Sequence, residues 1–269
     1  QPLFTRQGKS LALTAGGRDY LDQVRSALAL LAAMPQHRRA AQRRRRLRVC
    51  APPTFARLIL VPELGSFTQA HEDLELEIVL SIPFLDVNAG SADVEVRASD
   101  AAAEGDMLLD DVVLPMAAPG LLANLPALKA PADLRHAPLL RTPIEPWRPW
   151  FMAAGLDWPE PTDGPRLVDL GLTLEAALCG QGVVLGRPSL ARQALAEGRL
   201  LPLFGPFTRP QLLYQVAPHG GDGAAAEFCD WLTGCCARIA IDAMALVQDR
   251  LHPPPAPATP EELSGRRRR

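Results

Sequence analysis

The chain has 269 residues, of which 48% are hydrophobic and 22% are charged, and its formal net charge is −2. This composition is typical of a globular protein with one large or two modest domains, and it excludes collagen-like, low-complexity and mostly disordered classes. The sequence contains no run of eighteen apolar residues, so no transmembrane helix is predicted.

The charges are distributed unevenly along the chain. Residues 1–48 hold eleven Lys/Arg and two acidic residues, a net charge of +9, whereas residues 49–265 hold thirteen and twenty-eight, a net charge of −15. A basic leading segment on an acidic body predicts contact with a polyanion near the N-terminus and a different role for the remainder. A charge run that is simply solvated would give the same pattern.

The predicted elements begin with a hairpin. Residues 3–13 contain two short alternating runs on either side of Gln7-Gly8-Lys9, which predicts a β-hairpin with Gly8 in the turn. Thr14 follows and predicts the start of a helix, because its hydroxyl can accept a hydrogen bond from an otherwise unpaired N–H of the first turn.

An apolar stripe runs along this predicted helix. Leu21, Val24, Leu28 and Leu31 recur at spacings of three, four and three residues, which is the spacing found in helices that pair. Such a narrow stripe predicts a partner helix, and we expect a second copy of the chain to supply it. Pro35 should kink or end the helix.

From residue 47 onward, strand-like and helix-like segments alternate, which predicts an α/β body with largely parallel sheets. Strands are predicted at about 48–51, 74–80, 93–96, 107–116, 138–141, 166–168, 183–185 and 211–217. Helices are predicted at about 55–69, 147–154, 169–178, 189–196 and 224–250. The Pro/Ala-rich segment from His252, which ends in four arginines, is predicted to be disordered.

Signatures of enzymes and metal sites are missing from the sequence. The nucleophile elbow GxSxG, the P-loop, GxGxxG after a strand and HExxH do not occur. The five cysteines lack CxxC or Cys/His ligand spacing and are expected to be free thiols, and the five histidines are scattered. We therefore expect no enzyme activity, no metal and no cofactor.

Several short segments, taken in order, carry a resemblance to a known family. They are residues 2–4, 11–17 and 20–21 near the start, and residues 47–49, 60–67, 92–97, 174–183 and 198–200 in the body. The series resembles the wing, linker helix and effector-binding domain of LysR-type transcriptional regulators, in the branch of the glycine-cleavage activator. The resemblance implies a fold like that of periplasmic binding proteins, with two α/β subdomains, crossover strands between them and a small molecule in the cleft.

The resemblance also implies domain boundaries. Residues 1–16 would be a wing remaining from a winged helix-turn-helix, residues 17–46 a linker and dimerisation helix, residues 47–250 the effector-binding domain, and residues 251–269 a disordered tail. Subdomain I would comprise about 47–118 and 208–250, and subdomain II about 119–207. Since family members begin with a complete winged helix-turn-helix, most of the DNA-binding helices are expected to be missing from this chain.

On the first subdomain, strand ends predict an effector site at Thr54, Ser81 and Arg97. Thr54 stands where a strand ends and a helix begins, and a helix N-terminus favours a carboxylate or another anion. The alternative is that Thr54 only caps its own helix. Ser81 ends the second strand and Arg97 the third, so both should face the same cleft. Arg97 would pair with a carboxylate of the ligand or, alternatively, with an acid of the protein itself.

On the second subdomain, the candidate effector-binding residues are Thr142, Gly180 and Gln181. Gly180 and Gly182, in the turn, could instead serve only the turn geometry. Trp147 and Trp150, at helical spacing, are expected in the hydrophobic core and not as a platform for a ligand.

Together these patterns predict a ligand-responsive, DNA-binding transcriptional regulator that senses a small anionic metabolite and forms a homodimer or homotetramer. Arg6, Lys9, Arg38 and Arg39 are the predicted contacts with DNA phosphates. No signal peptide and no membrane partner are predicted, which favours the cytoplasm. The alternatives are a solute-binding protein of a transport system and, third, a small enzyme on the same two-lobed fold.

Overall fold

The structure is a computed structural model that describes residues 2–7, 10–32, 45–81, 92–99, 105–219 and 223–252. The chain divides into two compact units, Gln1–Arg44 and Arg45–Arg269. The division lies two residues before the predicted boundary between linker and effector-binding domain. Most of the predicted disordered tail, from residue 253 onward, lies outside the described residues.

The first unit contains the predicted hairpin and helix. Two strands pair antiparallel and a helix follows them, as β1 (Phe4–Gln7), β2 (Ser10–Leu13) and α1 (Ala15–Ala32). Thr14 caps α1 as predicted, because its Oγ1 accepts a hydrogen bond from the N–H of Gly17 at 2.9 Å. The hairpin passes close to this turn, and a Cβ on Gly17 would lie 2.0 Å from the carbonyl oxygen of Leu3. Only glycine fits at this position.

A five-stranded sheet forms the first subdomain of the second unit. Its strands are β3 (Arg45–Ala51), β4 (Leu74–Leu80), β5 (Val94–Ser99), β6 (Asp106–Met107) and β10 (Leu213–Pro218). Their order is β4-β3-β5-β10-β6. β3 pairs parallel with β4 and β5, whereas β10 pairs antiparallel with β5 and β6.

One continuous helix connects β3 with β4, where a helix over about 55–69 was predicted. Its three parts are α2 (Pro53–Phe55), a π-helical turn (Ala56–Leu60) and α3 (Val61–Ala70), and we call the whole run helix 53–70. Phe55, Ile59 and Phe67 are buried on one side of it, in the larger hydrophobic cluster. A π turn holds one more residue than an α turn and is found frequently at functional sites.

A second, three-stranded sheet lies in the second subdomain. Its strands β7 (Leu114–Ala117), β8 (Val184–Gly186) and β9 (Leu201–Pro202) have the order β8-β7-β9 and pair antiparallel. The prediction of largely parallel sheets therefore holds for β3, β4 and β5 but is wrong for this sheet. The strands predicted at 138–141 and 166–168 are reduced to single parallel bridges, Leu139 to Val183 and Arg141 to Arg166.

The predicted strand 107–116 is divided between the two sheets. Its first residue, Met107, belongs to β6 and residues 114–116 belong to β7, and residues 108–113 form a crossover between the subdomains. Asp110 and Asp111 interrupt the apolar run, and aspartate is disfavoured in strands. The predicted end of subdomain I at about 118 therefore lies too far along the chain, because β7 already pairs with β8 and β9.

The remaining helices agree with the sequence to within one residue at each end. The four that were predicted are α5 (Trp147–Ala153), α6 (Leu170–Leu178), α7 (Pro188–Ala196) and α8 (Gly223–Leu251), and the short α4 (Pro119–Leu122) precedes them. Among the described helices, none combines the length and the apolar character needed to span a membrane. The described residues also contain no group of three His, Cys, Asp or Glu side chains placed to hold a metal ion.

The tryptophans of α5 belong to the core, as expected. Trp147, Trp150 and Phe151 are each at most 1% exposed and form the centre of a smaller hydrophobic cluster. The indole N–H of Trp147 donates to the carbonyl of Leu140 at 2.8 Å, and that of Trp150 to the carbonyl of Pro206 at 2.8 Å. Burial of each large side chain stabilises the fold by roughly 1.5 to 3 kcal/mol.

Candidate functional site

A cleft of about 1060 Å³ lies between the subdomains, at the carboxyl ends of the parallel strands. Open α/β sheets bind their ligands at this edge. The first subdomain contributes the ends of β4 and β5 and the N-terminus of helix 53–70, and the second contributes residues 168–172 around the N-terminus of α6. The cleft is therefore built from both subdomains.

Thr54 joins the two walls of the cleft. Its side chain is buried, and its Oγ1 donates a hydrogen bond to Oδ2 of Asp169 at 2.7 Å and accepts one from the N–H of Gly171 at 3.1 Å. The alternative that Thr54 caps its own helix is wrong, because Pro52 is the N-cap residue and no side chain caps that end. Thr54 reaches across the cleft instead.

Asp169 and Thr54 together satisfy the first turn of α6. Asp169 is the N-cap residue, and its Oδ1 accepts a hydrogen bond from the N–H of Leu172 at 2.8 Å. The N–H of Gly171 has no acceptor within its own helix, and it donates a hydrogen bond to Oγ1 of Thr54. A Cβ on Gly171 would lie 2.8 Å from Nη2 of Arg57 and 2.9 Å from Oγ1 of Thr54, so the close approach of the walls requires glycine here.

Ser81 and Arg97 line the same cleft, as the strand ends predicted. Ser81 is half-buried, and its N–H donates to the carbonyl of Ala51 at 3.0 Å. Nε of Arg97 lies 3.7 Å from Oε2 of Glu95, and 44% of the Arg97 side chain is exposed. An ion pair with this exposure contributes little to stability. Arg97 therefore pairs with an acid of the protein itself, Glu95, which was one of the two alternatives. Its side chain nevertheless lines the cleft.

The residues predicted on the second subdomain do not reach this cleft. Thr142 is buried outside its lining, and Gly180 and Gln181 lie at the C-terminal end of α6, opposite the end that faces the cleft. The N–H of Gly180 donates to the carbonyl of Ala177 at 2.9 Å, and that of Gln181 to the carbonyl of Ala176 at 3.0 Å. This is a Schellman cap, and Gly180 takes its left-handed position with φ of +74°. Gly180 serves turn geometry, as the alternative proposed.

A buried charged cluster, which the sequence did not reveal, lies beside the crossover. Arg187 is the N-cap residue of α7; its Nε donates to Oε1 of Glu145 at 2.8 Å, and its guanidinium lies 5.5 Å from the ring centre of Tyr214. Asp111 accepts a hydrogen bond at 3.3 Å from the N–H of Ser189, the second residue of α7. We call Asp111, Glu145 and Arg187, each 3% exposed, the crossover cluster.

Burial dominates the electrostatics of this cluster. It raises the pKa of the Asp111 carboxyl to about 6, although Arg187 and the N–H groups of Val112 and Ser189 act in the opposite direction. Burial likewise raises the pKa of Glu145. One arginine therefore compensates two buried acids only in part.

Some of these residues gave a signal in the sequence and some did not. Asp169 precedes an apolar helical pattern, which is an ordinary N-cap signal that could have placed it at the cleft. Asp111 belongs to an acidic pair of a kind usually found in solvent. Arg187 is followed by Pro188, which marks a helix start but says nothing about a charge partner.

Arginines outnumber acids in the described lining of the cleft. The described side chains that line it include three arginines, Arg57, Arg97 and Arg187, and a single acid, Asp169. Arg187 is held within the crossover cluster. Arg57 is exposed, and its Nη2 lies 4.0 Å from Oε1 of Glu175. The wall thus suits a ligand with an anionic group.

The residues predicted to contact DNA or a second copy lie in the first unit. Of the apolar stripe, Leu28 is 59% exposed, Val24 is also exposed and Leu21 is half-buried. The side chain of Leu31, the last residue of the stripe, is not among those described. The same holds for the four predicted DNA contacts, Arg6, Lys9, Arg38 and Arg39.

Residues 40–236 match the model of the LysR substrate binding domain. The chain belongs to this family. It is 28% identical over 245 residues to an uncharacterised HTH-type transcriptional regulator of Sinorhizobium fredii, which covers 87% of this chain and 80% of the relative. It is 27% identical over 237 residues to the glycine cleavage system transcriptional activator of Escherichia coli, which covers 86% of this chain and 78% of the relative.

Solved structures agree with this membership of the LysR family. The effector domain of the transcriptional regulator AmpR of Pseudomonas aeruginosa is similar to this chain with a TM-score of 0.63 and 27% identity. The match covers 74% of this chain and 99% of that domain. The family and the two-subdomain fold expected from the sequence are therefore confirmed.

Proposed function

We propose that this LysR-family chain senses a small molecule with an anionic group and couples its binding to transcription. The observation that carries the proposal is the cleft in which Thr54 of one wall is hydrogen-bonded to Asp169 and Gly171 of the other. A molecule bound there contacts both subdomains, so its affinity depends on their arrangement. A ligand with such a differential affinity shifts the population of the arrangements.

The exposed arginines of the cleft lining, Arg57 and Arg97, support an anionic group on the effector. The similarity to transcriptional regulators supports a role in transcription. A role in transcription also agrees with the cytoplasmic location that the sequence favoured.

A thermal-shift screen with metabolite carboxylates and phosphates tests the effector site. A ligand at one hundred times its Kd stabilises the folded chain by about 2.7 kcal/mol, so a true effector raises Tm. Arg97→Ala should abolish this rise and leave the unliganded chain folded, since the Arg97 side chain is exposed and lies 3.7 Å from Glu95. The matched control is Arg209→Ala, whose ion pair with Asp110 at 3.2 Å lies outside the cleft lining. An equal loss in both variants, or an unfolded Arg97→Ala chain, contradicts the proposal.

For DNA contact, we propose that Arg6, Lys9, Arg38 and Arg39 bind phosphates. Support comes from the net charge of +9 over residues 1–48. Each phosphate contact contributes about 0.9 to the slope of log K against log salt concentration. The double variant Arg38→Ala/Arg39→Ala should therefore lower that slope by nearly 2 on a labelled duplex. An unchanged slope contradicts these contacts.

For assembly, we propose that the stripe Leu21, Val24, Leu28 and Leu31 pairs with a second copy. The exposure of Val24 and Leu28 supports this. Leu28→Asp would place an unpaired charge in the interface and should produce monomers in sedimentation experiments. Gln23→Asp, exposed and off the stripe, is the control and should leave the oligomer unchanged. The same oligomer for wild type and Leu28→Asp would exclude this interface.

A further inference from the structure

Exposed apolar side chains are concentrated at the cleft. Twelve large hydrophobic side chains are exposed in the described residues, and four of them line this one cleft. They are Val61 at 55%, Leu80 at 42%, Val168 at 67% and Leu172 at 55% exposure. Val61 belongs to α3 and Leu80 ends β4, whereas Val168 precedes α6 and Leu172 lies in its first turn. Apolar groups collected from separate elements in one concave surface mark a site for an apolar ligand.

The rest of the lining has the same character. Twelve of the twenty described lining residues are apolar, the four exposed ones among them. Pockets for drug-sized ligands measure roughly 300 to 1,000 Å³. The volume of about 1060 Å³ is far more than a small polar amino acid fills.

The position that a ligand carboxylate would take between the helix N-termini is already occupied. Oδ2 of Asp169 accepts the hydroxyl of Thr54, and its Oδ1 accepts the N–H of Leu172. A second carboxylate beside Asp169 would meet a like charge, which is unfavourable. Arg97 lies on the first subdomain, whereas Asp169 lies on the second. The Arg97 side chain is exposed, and its Nε lies 3.7 Å from Oε2 of Glu95.

We propose that the effector has an extended apolar body and one anionic group, and that Arg97, not the helix N-terminus at Thr54, binds this group. The inference rests on the proposed function of the cleft and specifies its ligand class. It replaces the expectation of an anion held at Thr54, because the structure gives that position to Asp169.

Straight-chain carboxylates from acetate to decanoate test the apolar body. Isothermal titration calorimetry should show that Kd falls roughly fourfold for each added methylene that becomes buried. Leu172→Ser should weaken decanoate about tenfold and acetate hardly at all. The control is Ile241→Ser, since Ile241 is an exposed apolar residue of α8 outside the described cleft lining; this variant should change neither affinity. Each variant is checked for an unchanged Tm without ligand.

Decanedioate and decanol test the anionic group. Wild type should bind decanoate more tightly than decanol, because decanol has no negative charge for Arg97. It should also bind decanoate more tightly than decanedioate, because the second carboxylate of decanedioate is repelled by Asp169. Arg97→Ala should reduce decanoate to the affinity of decanol. Asp169→Asn, which keeps a good N-cap residue, should narrow the gap between decanedioate and decanoate.

The outcomes separate this inference from the function on which it rests. If Kd does not depend on chain length while a small polar acid such as glutamate binds and requires Arg97, the cleft is an effector site and the apolar ligand class is wrong. If binding of no compound depends on Arg97 or Leu172, both proposals fall. Equal weakening of decanoate by Leu172→Ser and Ile241→Ser would show nonspecific adsorption and overturn the inference.

Discussion

In both α6 and α7, the N–H of the second residue finds its hydrogen-bond partner outside the helix's own subdomain, but the two partners differ in charge and position. On α6, the N–H of Gly171 donates to the neutral hydroxyl of Thr54, which lines the cleft. On α7, the N–H of Ser189 donates to the carboxylate of Asp111, which lies in the crossover and outside the cleft lining.

The difference separates a contact that a ligand can influence from one that it cannot reach. The hydroxyl of Thr54 has no charge to compensate, so the contact can form and break at modest cost. Asp111 and Arg187 are buried charges, and removing one partner exposes the full desolvation cost of the other. We therefore expect the crossover cluster to fix how the subdomains are joined and the Thr54 contact to report how closely the cleft walls approach.

The largest effect should follow from Arg187→Met. The variant leaves Glu145 and Asp111 buried without their cation, and we expect the free energy of unfolding to fall by roughly 3 to 5 kcal/mol in urea titrations. Arg209→Met, which removes an exposed arginine from its pair with Asp110, should change it by less than about 0.5 kcal/mol. Similar losses in the two variants would show that the cluster has no special role.

The pH dependence of stability should single out Asp111. Its pKa of about 6 in the folded chain lies above the ordinary value, so its contribution is fully present below the unfolded pKa and is lost as pH rises through 6. The difference between the ordinary pKa of an aspartate and about 6 corresponds to roughly 2 to 3 kcal/mol of stability, about half of which is lost between pH 5 and 7.

The measurement is the free energy of unfolding of wild type and Asp111→Asn at pH 5 and pH 7.5. The advantage of wild type over the variant should shrink at the higher pH. Asp110→Asn is the matched control, since Asp110 is exposed and adjacent in sequence. A constant difference for Asp111→Asn would mean that its carboxyl does not titrate in this range.

Gly171→Ala should have the next largest effect. The added Cβ would press on Arg57 and Thr54, and we expect a loss of about 1 to 3 kcal/mol in thermal or urea unfolding. Gly234→Ala in α8 meets no atom within 4 Å and should instead stabilise the chain by up to about 1 kcal/mol. A gain in both variants would show that the walls do not need to approach closely at Gly171.

Thr54→Val should have the smallest effect of the four. Valine keeps the shape and removes both hydrogen bonds, at a cost of about 1 to 2 kcal/mol. Thr54→Ser retains the hydroxyl and should lose less. Because Thr54 and Gly171 share one contact, the double variant Thr54→Val/Gly171→Ala should lose less than the sum of the two single variants. Full additivity would contradict a shared contact.

The hairpin, the capped helix and the succession of elements were predictable because their signals are local. Thr14 caps α1, and the helices of the body end within one residue of the apolar patterns that predicted them. The second sheet was not predictable in the same way. Strand pairing is decided by distant segments, and β7, β8 and β9 are too short to reveal their direction.

The candidate site was predictable only on one wall. Thr54, Ser81 and Arg97 follow strands whose carboxyl ends meet at one edge, so their convergence follows from topology. The crossover cluster forms only when distant segments pack together, and no local sequence pattern records its contacts.

The residues of the crossover cluster are far apart along the chain, which explains why the sequence did not predict the cluster. Ser189 lies 78 residues after Asp111, and Arg187 lies 42 residues after Glu145. Contacts over such distances arise from tertiary packing, whereas caps and helical stripes arise from neighbours three or four residues apart.

The π turn at Ala56–Leu60 sets the rotational phase of helix 53–70. Thr54 lies before the turn and donates a hydrogen bond to Asp169. Glu63 lies after the turn; its Oε1 is 3.0 Å from Nη2 of Arg192, and its Oε2 is 3.1 Å from Nη2 of Arg238. An ordinary α-helix over the same sequence would turn through roughly 100° more between Thr54 and Glu63. Glu63 would then point away from both arginines whenever Thr54 faces Asp169. The one extra residue in the π turn thus allows a single helix to contact Asp169, Arg192 and Arg238 at the same time.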